Sequence, residues 1–260
     1  MSFTSLSSGS PVAMPSSNYK SADISDLLRT ISRPLWLIQS GGQLNVVTDP
    51  ATNIKAEDIS GVVPACLLDS LGSRSFCHDH GLEYAYVGGS MAKGISSVAM
   101  VKAFGGAGML GFFGSAGLSF EQVEAAIDEL QQHRPNIPFG VNLIHSPTEP
   151  ELEKALVELY LRRGIQLIEA SAFLGLTLPL VRYRTYGIYR DEQGNVVAPN
   201  RIIAKVSREE VAARFFAPPP EKLLKQLVAA GDLTEEQAHL AGQIPMAQDV
   251  TAEADSGGHT

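Results

Sequence analysis

The chain has 260 residues, 44% of them hydrophobic and 18% charged, with a formal net charge of -8. That length buries a large core as one large domain or two small ones, and an acidic chain lacks the clustered Lys and Arg that nucleic acid demands, so nucleic acid is excluded as a partner. The two cysteines, Cys66 and Cys77, make no disulfide framework, which fits a cytoplasmic protein.

Residues 1–20 are rich in Ser and Pro and have neither a basic n-region nor an apolar h-region, so they read as a disordered tail rather than a signal peptide. Residues 21–82 read as an N-terminal lead-in or cap module. Spacing predicts a short helix over Ser25 to Ile31. It also predicts two strands, Leu35 to Ile38 and Leu44 to Val47, joined as a hairpin around Gly41-Gly42, and an apolar run from Gly61 to Leu67.

From residue 83 short apolar strands alternate with amphipathic helices. The strands are Tyr84 to Val87, Gly108 to Phe112, Phe139 to Ile144, Gln166 to Ala170, Arg201 to Val206 and Asp249 to Ala254. The helices are Ser96 to Phe104, Ser119 to Gln132, Thr148 to Arg162, Leu176 to Tyr183 and Ser207 to Phe215. Four pairs have capping-box spacing at helix starts: Ser119 with Gln122, Thr148 with Glu151, Ser207 with Glu210 and Thr234 with Gln237. Tyr186 to Pro199 reads as a hairpin excursion. Residues 217–246 open with three prolines and read as an inserted pair of helices, Glu221 to Ala230 and Thr234 to Gly242.

Val98 to Leu118 is apolar for the length of a membrane span, but Lys102 and repeated Gly and Ser break it into a helix, a loop and a buried strand, so no membrane is expected. The alternation of strands and helices defines an α/β protein with a parallel sheet covered by helices. Periodicity leaves two architectures open, a doubly wound open sheet and a closed barrel.

Several motifs carry candidate chemistry. Gly106-Ala107-Gly108-Met109-Leu110-Gly111 has the spacing of a dinucleotide fingerprint, but a helix precedes it and a strand follows, the reverse of what a phosphate site requires. Cys77-His78-Asp79-His80 holds metal-ligating residue types in adjacent positions that cannot converge on one ion, so it reads as a turn before the first barrel strand, and no metal is expected. The three glycines in Gly88 to Gly94 would let backbone amides approach a flat ligand, with Ser96 starting the next helix. Asn142, Glu169 and Lys205 each stand near the C-terminal end of an apolar strand. Such buried polar groups need partners, and Glu169 with Lys205 reads equally as a structural ion pair or as a lining of the barrel mouth. Glu253 to His259 sets two acids and an imidazole around Gly257-Gly258, the densest polar cluster after any strand.

Together these motifs resemble the nitronate monooxygenase and FabK-type enoyl reductase superfamily, and most of all its PfaD family. The stretches that carry the likeness are Phe76 to Gly94, Asn142-Leu143-Ile144-His145-Ser146-Pro147, Ile168 to Phe173, Ala204 to Ser207 and Val250 to His259, with the helical insertion after Arg214. The resemblance implies a TIM (β/α)8-type barrel over residues 83–260. It implies FMN across the C-terminal mouth, NAD(P)H as electron donor, and an enoyl thioester on an acyl carrier protein as substrate, reduced in trans within a polyunsaturated fatty acid or polyketide synthase. It places Gly89, Ser90, Met91, Ala92, Asn142, Glu169, Lys205, Glu253, Gly257 and Gly258 at the cofactor and His259 in the catalytic position.

About six strands are counted, so the barrel is expected to be incomplete, with its phosphate loops supplied by a further C-terminal segment or its edges met by a second copy. The chain alone is accordingly expected to bind FMN poorly. Two other functions share the pattern: a nitronate monooxygenase using the same flavin and histidine, and a truncated, non-catalytic member of a synthase complex.

Overall fold

The computed structural model describes residues 26–27, 29–40, 42–48, 56–132 and 137–253. The expected tail over 1–20 and the residues Gly257, Gly258 and His259 lie outside them, as do Ser25 and Leu28 of the expected helix Ser25 to Ile31, of which Asp26 and Leu27 are helical and Arg29 to Ile31 form a turn. The chain divides into two compact units, 1–71 and 72–260.

In the first unit, β1 (Leu35–Ser40) pairs antiparallel with both β2 (Gln43–Val47) and β3 (Ile59–Val63), giving the order β2-β1-β3. The β1–β2 hairpin turns through Gly42 at φ 80°, a left-handed conformation that suits glycine. The apolar run after Gly61 enters the sheet only as far as Val63.

The second unit opens with α1 (Arg74–His80), where a turn was expected. Ser73 caps it by accepting from the Phe76 amide, and Gly81 ends it at φ 66°. This helix lies before residue 83 yet belongs to the barrel unit rather than to a separate cap. The alternation then follows the expected order: β4 (Val87–Gly88), α2 (Val98–Gly106), β5 (Leu110–Phe113), α3 (Phe120–Gln131), β6 (Phe139–Ile144), α4 (Pro150–Arg162), β7 (Leu167–Ser171) and α5 (Leu178–Thr185). The short hairpin β8 (Tyr189–Arg190) and β9 (Val196–Val197) follows, then β10 (Arg201–Val206), α6 (Glu209–Phe216), the inserted α7 (Glu221–Ala230) and α8 (Glu235–Ala241), and β11 (Asp249–Ala252).

Two of the four capping boxes form. Ser119 and Thr234 each accept from the third helical amide while Gln122 and Gln237 reach back. The other two do not. Pro150 sits at the first turn of α4, and its fixed φ moves the start beyond Thr148, so Glu149 is the cap residue. Arg208 stands at the cap of α6, one place beyond Ser207. Helix α2 likewise begins after Ser97, not Ser96.

The six barrel strands pair in the order β4-β5-β6-β7-β10-β11, every pair parallel. Each strand is laid beside the one before it. A doubly wound sheet reverses direction at a switch point, and this one never does. Val141, Leu143, Ile168, Ala170, Ile202 and Ala204 pack with Ile127, Leu130, Val157 and Tyr160 from the helices in one large core. The opposite face carries a smaller cluster, Leu110, Phe112, Leu167 and Ile203, packed by Phe76 of α1. The helices that follow the strands therefore cover one face, and the other, concave face is met by α1. The structure is a half-barrel of the (β/α)8 type, six strands wide among the described residues.

Gly140 shows how tightly the concave face fills. It is the register partner of Phe112, and a Cβ there would lie 2.2 Å from the Phe112 ring. Gly140→Ala is expected to destabilise the fold by about 1–3 kcal/mol through overpacking. Phe112→Leu in the same chain should recover part of that loss. Urea unfolding of the single and double variants measures both effects, and additive losses would contradict the steric explanation.

Candidate active site at the carboxyl ends of the strands

Strand alternation decides which side chains reach the concave face. Glu169 shares the face of Leu167, and Lys205 that of Ile203. Register pairs Asn142 with Glu169 and Lys205 with Thr251, so these four residues meet near the C-terminal edge on one side of the sheet.

Glu169 is the centre of the group, and its side chain is 0% exposed. Its Oε2 accepts from the Ser90 backbone N–H at 2.9 Å and from the Ser90 hydroxyl. Lys205 Nζ lies 3.9 Å from the same oxygen and 4.0 Å from Glu253 Oε2, and donates to the Ser90 carbonyl at 3.3 Å. Glu169 Oε1 is buried and has no partner, as is the Thr251 hydroxyl oxygen. A Cβ on Gly89 would come within 3.2 Å of Glu169 Oε1. The lysine and glutamate are thus an ion pair, one of the two readings their sequence left open, yet the pair leaves an acceptor idle.

The loop after β4 is built to reach this carboxylate. Ser96, buried, donates to the Gly89 carbonyl at 3.0 Å and accepts from the Met91 amide at 2.9 Å, closing the loop on itself. Its work is therefore within the loop, and the helix cap falls to Ser97. At Gly88 a side chain would strike the Phe104 ring at 2.8 Å. The backbone of Gly114 passes so close to Met91 that a Cβ would lie 1.8 Å from its carbonyl oxygen. Met91 itself is exposed.

Asn142 is held within the sheet. Its Nδ2 donates to the Glu169 carbonyl at 3.1 Å and to Ser171 Oγ at 2.7 Å. From behind, Tyr160 and Ser115 both donate to the Asn142 carbonyl, at 2.8 and 2.6 Å. Burial pushes the Tyr160 phenol well above its ordinary pKa, so it remains a hydrogen donor. Immediately beyond β7, Ala172 adopts φ 63°, a conformation costly for a residue with a Cβ and one that gathers at functional loops.

The structure thus brings together Gly89, Ser90, Asn142, Glu169, Lys205 and Glu253 from five strand ends. Met91 and Ala92 continue the same loop. Ser96, Ser171 and Thr251 belong to the group too and were missed, since an isolated hydroxyl in a strand or loop has no distinctive spacing. Cys77, His78, Asp79 and His80 fall on α1, and the described residues contain no group of three or more potential metal ligands. The reversed glycine motif is the end of α2 and the start of β5, as expected. Among the described residues no helix is long and apolar enough to cross a membrane.

A parallel barrel-type sheet with its polar groups gathered at the carboxyl ends of the strands has the site placement of the (β/α)8-barrel enzymes. No family model matches the chain. The chain is 46% identical over 237 residues to a polyunsaturated fatty acid synthase component of Thraustochytrium sp., a match that covers 90% of the chain and 15% of that protein. It is 43% identical over 213 residues to the polyketide biosynthesis protein PksE of Bacillus subtilis, 82% of the chain and 28% of PksE. The enoyl reductase domain of MlnA, from the macrolactin biosynthesis cluster of Bacillus amyloliquefaciens, superposes with a TM-score of 0.69 at 44% identity, covering 71% of this chain and 43% of that one. The chain spans less than half the length of each of these relatives. It belongs to the PfaD-like enoyl reductase family.

Glu169→Ala would leave the Ser90 N–H and hydroxyl without their acceptor. A buried donor left unsatisfied costs about 1–3 kcal/mol, and that is the expected loss in urea unfolding. Glu169→Gln keeps an acceptor oxygen and should lose less. Equal losses for the two variants would show that the Ser90 contacts contribute nothing.

Proposed function

We propose that this chain is the flavin-facing part of an FMN-dependent enoyl-thioester reductase. On this reading it takes acyl chains in trans from acyl carrier protein domains of a polyunsaturated fatty acid or polyketide synthase, with NAD(P)H as the electron donor. The observation that carries the proposal is the cluster around Glu169: a buried, idle acceptor oxygen beside a glycine backbone, with a lysine at the same mouth. A flavin ring edge presents an N–H donor flanked by carbonyl acceptors, and these residues supply complementary partners. Family membership supports the same reading, because the name of the MlnA domain states enoyl reduction.

When bound, FMN would supply the hydride chemistry that no side chain offers. The protein's part is placement. Gly89, Ser90, Met91 and Ala92 would hold the ring through their backbone, with Glu169 and Lys205 lining the same mouth. Asn142 has already committed its amide donors to β7, so its contribution is to fix the strand end rather than to supply those donors to the cofactor. Glu253, Gly257 and Gly258 would continue the lining beyond β11, and His259 would hydrogen-bond the thioester carbonyl.

The full-length protein should quench FMN fluorescence on titration, and anaerobic NADPH should bleach the bound flavin. Crotonyl-pantetheine should then restore the oxidised spectrum, whereas a nitronate should leave the oxidised flavin unchanged. Reduction of the flavin by the nitronate, or no bleaching by NADPH, would defeat the proposal. Gly89→Val, which pushes a side chain toward Glu169 Oε1, should weaken FMN binding.

A further inference from the structure

Enoyl reduction adds two hydrogens of different character. The β-carbon takes a hydride and the α-carbon takes a proton, so the site needs an acid as well as a reductant. Lys205 is placed for that task. It stands on the concave face at the C-terminal end of β10, and its side chain is 18% exposed between Glu169 at 0% and Glu253 at 30%. An ammonium has three N–H donors. One is spent on the Ser90 carbonyl at 3.3 Å. The two carboxylates, at 3.9 and 4.0 Å, pair with its charge but lie beyond hydrogen-bond range, so they take up none of its remaining N–H donors. The Thr251 hydroxyl oxygen on the neighbouring strand is unpartnered, so it takes up none of the ammonium's donors.

We propose that Lys205 is the proton donor to the acyl chain, an assignment that rests on the enoyl-reductase reading above. Once a hydride originating from NAD(P)H has reached the β-carbon, a C–H bond forms there and the C=C π pair moves onto the α-carbon and thioester oxygen. The ammonium faces this negative charge. One Nζ–H bond breaks as the α-carbon C–H bond forms, leaving a neutral amine, which regains its proton from solvent along its exposed side. Glu169 and Glu253 are positioning residues that hold Nζ at the mouth.

The experiment mixes NADPH-reduced full-length flavoprotein with crotonyl-pantetheine and times flavin reoxidation. Lys205→Ala is expected to slow reoxidation by about 100- to 10,000-fold, the usual contribution of a placed acid, and added methylammonium should restore part of the rate. Lys205→Arg preserves the charge and its contacts but does not give up a proton, so it should also be slow. A second readout needs no turnover. Acetoacetyl-pantetheine added to the oxidised protein should develop enolate absorbance in the unsubstituted and Lys205→Arg proteins and not in Lys205→Ala.

Reoxidation of Lys205→Ala at the unsubstituted rate would overturn the proposal. So would a slow Lys205→Ala that amines leave unchanged, or an enolate band that survives in it. If crotonyl-pantetheine fails to reoxidise the unsubstituted protein after NADPH has bleached it, the enoyl-reductase reading itself falls, and the proposal falls with it.

Discussion

A carboxylate removed from solvent must be met by donors, and Glu169 finds its donors far along the sheet. Its hydrogen bonds come from Ser90, just past β4, whereas Glu169 is on β7. In a flat sheet with strands about 4.8 Å apart, three spacings separate those strands by about 14 Å. Lys205, one strand further on, reaches the same serine's carbonyl. Both contacts require the sheet to curl toward its concave face. The curl, the placement of the β4 loop and the gathering of polar groups at one mouth are one constraint seen from three sides. Fixing the Glu169 carboxylate against Ser90 sets the chord of the half-barrel.

The opposite end of the unit is held by different chemistry. Helix α1 crosses beneath the strands, with Phe76 in the concave cluster and the Arg201 guanidinium donating to the Asp79 carbonyl. The inserted hairpin and helices return to the unit through Arg184, which is buried and donates to the carbonyls of Asn200 and Pro245. Burial pushes that guanidinium down to about 10, and the like charge of Arg201 acts in the same direction. Backbone carbonyls thus do the anchoring at these two connections, and at the base they are joined by the Asp249 carboxylate, which meets His80 of α1.

Much of this was legible along the chain because it is local. The strands Phe139–Ile144 and Arg201–Val206 fall where their apolar runs predicted, and Asn142, Glu169 and Lys205 announced themselves as polar residues in runs of Val, Leu and Ile. Where local signals competed, they misled. Thr148 and Ser207 have capping spacing, but Pro150 fixes a later start for α4 and Arg208 occupies the cap of α6. Cys77 to His80 looked like a turn, yet it forms a helix once Ser73 caps one end and Gly81 closes the other. The choice between barrel and doubly wound sheet was not legible in periodicity at all. It depends on strand order and on which face the helices cover, and both are tertiary facts. The Ser90–Glu169 contact joins residues 79 positions apart, with nothing in either neighbourhood to mark it.

The buried imidazole of His80 on α1 meets the Asp249 carboxylate on β11 at 3.0 Å, across 169 residues of chain. Such a contact cannot form until the last described strand exists and has docked beside β10. During synthesis the earlier βα units can settle one against the next through near neighbours, and Phe76 of α1 has Leu110 and Phe112 to pack on, while His80 waits for its distant partner. Closing so long a loop carries an entropic cost that only the assembled sheet offsets, which makes this clasp a late event in folding. The base of the half-barrel is therefore the last part of it to become secure, although its helix is the first element of the unit to be made.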